Sequence, residues 1–229
     1  MNVVAINTSP RVNWNTDRIV KEAAKGAASA GAEIQYFDLY RLKNVSGCVS
    51  CFGCKRPPHE GHCVKQDDLT AVLEAIREAD GVIIGTPNYL GQPSAGFMQL
   101  FERLCYQNIT YCKEDKRYVW GKTPFLFIMT SNFGEEAYKK GPYAHMMRNI
   151  CGRLSVAIGP LEVFIVGDTL QVVDYNQYNW TLFDAEAKKK RHETVFPEEM
   201  EKAFRLGAEL VSGNWLATHR LATPDDPII

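Results

Sequence analysis

The 229-residue chain has no run of about 18 apolar residues, the length needed to span a bilayer, so no membrane partner is expected. It has no excess of either charge. Lys and Arg number 26 against 27 Asp and Glu, a net −1, which removes the electrostatic case for a nucleic-acid partner or an anionic surface. No basic segment followed by an apolar core opens the chain, and seven cysteines, an odd number, do not make a disulfide framework. Both features point to a cytoplasmic, reducing setting. Neither the GxGxxG fingerprint of dinucleotide sites nor the GxxxxGK signature of phosphate-binding P-loops occurs. Linkers, repeats and low-complexity stretches are also missing, so residues 1–229 are expected to form a single domain.

What is present is a series of short apolar runs alternating with helical patterns. Asn2–Asn7 is rich in β-branched residues, as a buried parallel strand should be. A hydroxyl-rich loop follows, Thr8–Thr16, and then a helical pattern over Asp17–Ala30 with Ile19, Ala23, Ala27 and Ala30 on one stripe. Further strands are expected at Glu33–Leu39, Gly81–Thr86, Pro124–Thr130 and Leu161–Val166. Helices are expected from Asp67 onward, over Pro93–Tyr111, over Glu135–Val156 and over Pro197–Val211. Five strands alternating with helices predict an α/β, three-layer, flavodoxin-like doubly wound fold with a five-stranded parallel sheet of order 2-1-3-4-5. Two stretches stand apart, a cysteine-bearing loop at 44–65 and an extra segment at 169–196. In the latter, Lys188–Arg191 reads as a solvated helix face.

In open α/β sheets ligands bind beyond the carboxyl ends of the strands. The Thr8–Thr16 loop stands there, before a helix whose first amides have no intrahelical acceptor, and can hold an anion with help from Ser9, Asn13, Asn15 and Thr16. Simple capping by Asn15 or Thr16 is the alternative. Thr8-Ser9-Pro10-Arg11 followed by Asn15-Thr16 resembles the "G-S-P-R … G-N-T" phosphate loop of flavodoxin-like NAD(P)H-dependent FMN reductases, with Thr8 and Trp14 replacing two glycines. After the third strand, Pro87, Tyr89, Gly91 and Ser94 match the "S-P-x-Y-x-G-x-x-S-G" ring-binding loop of the same family, with Thr86 and Ala95 as the departures. Thr130–Gly134 would border the ring's other edge. The resemblance implies FMN held without covalent attachment by Ser9, Arg11, Asn15 and Thr16 at the phosphate and by Pro87, Asn88, Tyr89, Leu90, Gly91, Thr130, Ser131 and Gly134 around the ring. No Ser-His-Asp or paired-carboxylate arrangement is evident at these loops, so no general acid or base is named.

Cys48, Cys51 and Cys54 form a C-x2-C-x2-C run, and Cys63 follows after eight residues. Three readings stand together: a 4Fe-4S cluster, thiols with a structural or redox role, and zinc with help from His59 or His62. The run resembles the compact cluster motif of the iron–sulfur flavoproteins, a branch of the same group, although the last spacing is longer than that motif's. Such a loop would leave the second strand at the carboxyl end of the sheet, on one side of the flavin site. Cys105, Cys112 and Cys151 lie in helical patterns and read as packed thiols.

The resemblance implies an FMN-dependent oxidoreductase that takes hydride from NAD(P)H and reduces a small-molecule electron acceptor (a quinone, a flavin or an aromatic compound) or an iron–sulfur centre. A flavin electron carrier and a zinc-stapled module without enzyme activity are the competing classes. Carriers of this fold tend to be smaller and strongly acidic, so near-neutral charge and extra length favour the enzyme. Relatives of this kind usually cover the exposed ring face with a second subunit. A homodimer or homotetramer is therefore expected, with Tyr175, Tyr178, Trp180 and Phe183 as interface material.

Overall fold

A computed structural model describes residues 1–113 and 121–219. The expected domain also includes 114–120 and 220–229, which lie outside the described residues. Its centre is β1 (Asn2–Asn7), in which Val3, Val4, Ala5 and Ile6 are wholly buried because helices cover both sheet faces. β1 pairs in parallel with β2 (Glu33–Asp38) on one side and β3 (Gly81–Tyr89) on the other. β3 pairs with β5 (Phe125–Thr130), and β5 with β6 (Leu161–Val166), again in parallel. The five parallel strands therefore run in the expected order, 2-1-3-4-5 when counted among themselves.

The expected five-strand count needs one correction. β3 continues three residues beyond Thr86, turns at Leu90–Gly91 and pairs antiparallel with a two-residue sixth strand, β4 (Gln92–Pro93). Both turn residues have positive φ, 55° and 81°, the conformation that a tight two-residue hairpin demands.

α1 (Asn15–Ser29), α7 (Phe196–Leu210) and α8 (Trp215–Thr218) cover one face of the sheet, where Ile19, Ile83, Ile128, Phe196 and Trp215 form a core. α1 and α7 cross with almost no space between them: a Cβ on Gly26 would stand 1.9 Å from the Phe204 carbonyl oxygen. α2 (Leu69–Glu78), α3 (Ala95–Asn108) and α5 (Ala144–Ala157) cover the other face over Phe97, Leu100, Phe127, Met147 and Leu154.

The helical pattern at 135–156 is two helices. α4 (Glu136–Lys139) ends before Gly141–Pro142, which separate it from α5. α3 ends at Asn108, short of Tyr111, so Cys112 lies outside it and is exposed rather than packed; Cys105 and Cys151 are buried as expected. The segment 169–196 holds a 3-10 turn at Tyr175–Gln177 and α6 (Ala185–Thr194). No helix among the described residues is long and apolar enough to cross a membrane.

Candidate functional site

The loop between β1 and α1 is pinned at its start. Thr8 donates through its amide and its hydroxyl to the Gly85 carbonyl (2.9 and 3.0 Å), and Ser94 Oγ donates to the Thr8 carbonyl at 2.6 Å. Ser9 then folds back, its amide on Asn7 Oδ1 and its Oγ accepting from the Arg11 amide. Trp14 replaces a glycine of the resembled motif without strain, because its φ is −108°. The left-handed residue is Asn13, φ 56°, a type that tolerates this region. Asn13 is held there by its amide's 2.5 Å bond to Asp17 Oδ2. Asp17 also accepts from Tyr36 Oη (2.5 Å) and Lys21 Nζ (2.8 Å). Burial pushes this carboxyl up, but the bonds from Lys21, Tyr36 and Asn13 outweigh it and hold Asp17 below the ordinary carboxylate range.

The capping alternative fails on these contacts. Among the described residues no side chain caps α1. Asn15 Nδ2 instead donates to the Leu170 carbonyl at 2.8 Å, and Thr16 Oγ1 meets Thr130 Oγ1 at 2.7 Å. Two hydroxyls sharing one bond leave one O–H proton to give outward. Arg11 lays its guanidinium 4.2 Å over the Trp14 ring and donates to the Gln171 carbonyl at 2.8 Å. Beneath it Trp14 Nε1 is buried with no acceptor among the described residues. An uncapped helix start, an unspent indole N–H and a spare hydroxyl proton form a donor set suited to a phosphate.

The ring-side residues border the same end. Pro87 lies in register with Thr130. The Asn88 side chain fastens the hairpin, donating to Tyr138 Oη at 2.5 Å and accepting from the Gly91 amide at 2.8 Å. Tyr89 is half-exposed and Leu90 fully exposed. Across from them Ser131 accepts from the Phe133 amide through Oγ and from Thr169 through its carbonyl. A Cβ on Gly134 would meet nothing within 4 Å. The two loops converge on Tyr143, which stands edge-on to Phe133 (5.8 Å between centroids, 84°) and 3.1 Å from where a Cβ on Gly91 would be. Tyr89, Leu90, Phe133 and Tyr143 thus offer apolar surface beside the donor-rich loop.

Cys48, Cys51, Cys54 and Cys63 all line one open pocket of about 330 Å³, together with Phe52, Arg103, Tyr106 and Gln107. Ser50 and Phe52 take left-handed backbone, φ 54° and 58°, which curls the C-x2-C-x2-C run around this space. α3 holds the loop with side chains from successive turns. Glu102 Oε2 accepts from the Cys48 amide (3.1 Å), and Gln107 Oε1 accepts from the Cys63 amide (3.0 Å). Lys55 Nζ donates to the Tyr106, Gln107 and Ile109 carbonyls at the helix's end, where a cation suits the dipole. Arg103 donates from Nε to Cys63 Sγ at 3.3 Å. The pocket therefore lies on the flank of the α2–α3 layer, about 13 Å along α3 from its start at Ser94, rather than directly beside the strand-end loops where it was expected.

Among the described residues no three His, Cys, Asp or Glu side chains are gathered so that they could hold one metal ion, and His59 and His62 are exposed and do not line the pocket. Zinc draws four ligands onto one atom, whereas a cuboidal cluster gives each thiolate its own iron and so spaces the sulfurs more widely. An all-thiol lining with that wider spacing suits the cluster chemistry better than the zinc chemistry.

Sequence reasoning missed the side chains that position both regions: Asp17, Trp14 and Gln171 at one, Glu102, Arg103 and Asp67 at the other. It also misread Lys188. That residue is buried, not solvated, and its ammonium donates to the Asn132 carbonyl (2.9 Å), Asn132 Oδ1 (2.7 Å) and Asp168, fixing the loop after β5. Arg191 pairs with Glu199 at 2.6 Å. A basic run followed by a buried contact has no signature in charge patterning alone.

Residues 1–157 match the sequence model of the family described as NADPH-dependent FMN reductase. A protein of Methanocaldococcus jannaschii named iron-sulfur flavoprotein is 38% identical over 103 residues, 45% of this chain and 51% of that protein. Another of that name from Clostridioides difficile is 28% identical over 170 residues, 69% of this chain and 68% of that protein. The chain spans about half the length of most of the curated relatives it matches. Among solved structures, the NAD(P)H:quinone oxidoreductase from Methanothermobacter marburgensis superposes with a TM-score of 0.67 at 18% identity, covering 92% of this chain and 96% of that one. An azoreductase from Bacillus anthracis superposes with a TM-score of 0.63 at 15% identity, covering 91% of this chain and 99% of that one. These likenesses show a shared flavodoxin-like fold.

Proposed function

Because the chain belongs to the NADPH-dependent FMN reductase family, we propose that it uses NADPH to reduce FMN bound at its strand ends and delivers the electrons to a quinone-like acceptor and to a 4Fe-4S cluster on Cys48, Cys51, Cys54 and Cys63. The observation that carries the flavin part is the uncapped start of α1 beside the buried, unpartnered Trp14 N–H and the Thr16–Thr130 hydroxyl pair. Ser9, Arg11 and the first-turn amides bind the phosphate, while Thr130, Ser131 and the Pro87–Gly91 turn orient the ring. FMN, when bound, supplies hydride acceptance and onward electron transfer. Tyr89, Leu90 and Phe133 keep water from the ring and leave room for a nicotinamide or an acceptor to stack. The cluster part is supported by the four thiols on one pocket and by the names of the relatives.

The same reading puts a second copy of the chain over the exposed Leu90, Tyr178 and Trp180, in a homodimer or homotetramer; sedimentation as a monomer at micromolar concentration would contradict that part. For the activity, FMN-loaded protein is mixed anaerobically with NADPH and the flavin absorbance followed, then a soluble quinone is added. Bleaching by NADPH and recovery on quinone addition are expected. A flavin that binds yet stays oxidised under excess NADPH and NADH would leave an electron carrier instead.

A further inference from the structure

Arg103 has a wholly buried side chain in α3, and its planar fork serves three different partners. Nη1 pairs with Asp67 Oδ1 at 2.5 Å, Nη2 donates to the Lys65 carbonyl at 2.8 Å, and Nε donates to Cys63 Sγ at 3.3 Å. Lys65 Nζ in turn pairs with Asp67 Oδ2 at 2.5 Å. A guanidinium is costly to bury, and a carboxylate taken by both of its ends would be the simplest compensation. Here one nitrogen is turned to sulfur instead. Two cations, Arg103 and Lys65, face one carboxylate, Asp67, so the set carries one positive charge in excess beside Cys63. A ligated, anionic sulfur would balance it.

We propose that Arg103 is a positioning residue for the cysteine-bound centre, raising its reduction potential through a fixed, Asp67-held N–H bond to the Cys63 sulfur. The inference rests on the cluster reading given above. Reduction adds one electron and one negative charge to the cluster, with no bond broken and no proton taken up. The electron comes from the NADPH-reduced flavin in turnover, or from dithionite in the test. A buried cation bonded to one of the sulfurs stabilises the reduced form more than the oxidised one. The other contacts of the cysteine loop differ in kind: at Cys48 the α3 partner is the Glu102 carboxylate, which takes the backbone amide and not the sulfur.

The test is an anaerobic dithionite titration of the full FMN-bound chain, with the cluster followed by electron paramagnetic resonance and iron counted per chain. Arg103→Met should lower the cluster midpoint and Asp67→Asn should raise it, with Arg103→Lys in between. Iron content and the flavin midpoint should stay as in wild type. Opposite-signed shifts are not produced by loosening of the loop, which would cost iron in both variants. Iron-replete variants with unmoved or same-signed midpoints would overturn the role of Arg103 and leave the cluster standing. Loss of iron in both variants would reduce Arg103 to a fastener. Wild-type protein without iron would overturn the cluster reading and this inference with it.

Discussion

The strand-end loop and the cysteine pocket are built in opposite ways. At the strand ends the binding groups are backbone and short side chains, delivered by the sheet itself: Thr8 and Pro87 are placed by pairing with β3 and β5, and α1 begins uncapped. At the cysteine pocket no sheet strand contributes to the lining. A loop with left-handed residues is wrapped against α3 and fastened by Glu102, Arg103 and Gln107 reaching back from that helix. The first design fixes geometry through the fold and tolerates side-chain replacement, which is why Trp14 can stand where relatives of this type have glycine. The second depends on a few long-range polar contacts, and on one buried ion pair.

The largest expected effect tests the strand-end design. Thr16→Ala removes one partner of the Thr16–Thr130 pair and a hydroxyl aimed at the phosphate. A hydrogen bond to a charged group is worth about 1.5–3 kcal/mol, so FMN should bind roughly ten- to hundredfold more weakly. Riboflavin, which has no phosphate, should bind as to wild type in fluorescence-quenching titrations. Equal losses for both ligands would place the phosphate elsewhere.

Asp17→Ala comes next. It strips the acceptor from Asn13, Tyr36 and Lys21 at once and should destabilise the chain by about 2 kcal/mol in urea unfolding at neutral pH. The sign with pH follows from the depressed carboxyl. Its contribution is complete above the unfolded value near 3.9 and is lost as pH falls through the lower folded value, so the gap between variant and wild type should close in acid. A gap that instead widened in acid would show that Asp17 is protonated in the folded chain. Asp67, where burial raises the carboxyl but Arg103 and Lys65 more than reverse it, should loosen the cysteine loop in the same acid window.

A smaller effect is expected at Lys188→Met, which frees Asn132 and Asp168 and unfastens the loop after β5. Flavin affinity should fall a few-fold, for FMN and riboflavin alike, because the ring and not the phosphate loses its border. A phosphate-selective loss would contradict this placement. The smallest effect concerns thiols outside both regions. Burial pushes Cys105 up to about 12 and Cys151 higher still, while Cys112 is exposed. Iodoacetamide at mildly alkaline pH should therefore mark Cys112 and spare the other two in mass spectra of native protein.

How much of this could be read from residues divides along the same line. Val3–Ile6, Val82–Ile84 and Phe125–Met129 are continuous apolar runs, and such runs alternating with helices leave few topologies open, so the order of the parallel strands was legible. The phosphate loop was legible because its donors are neighbours in sequence. The β3–β4 hairpin was not, since Leu90 is a poor residue for positive φ and carries no turn signature. Nor were the Arg103–Cys63 and Lys188–Asn132 bonds, which join residues 40 and 56 positions apart. Charge and periodicity describe an element's own faces; they do not name a distant partner. Cys112 was misplaced for a simpler reason, the helix ending at Asn108.

The central claim is that one chain holds FMN and a cluster in two independently built regions. The most direct measurement is FMN, iron and acid-labile sulfide per chain after anaerobic purification, in wild type and in Cys51→Ala. The account predicts FMN in both proteins, with about four irons and four sulfides in wild type and none in the variant. Wild type that holds FMN but no iron, or a variant in which FMN is lost together with the iron, would contradict it.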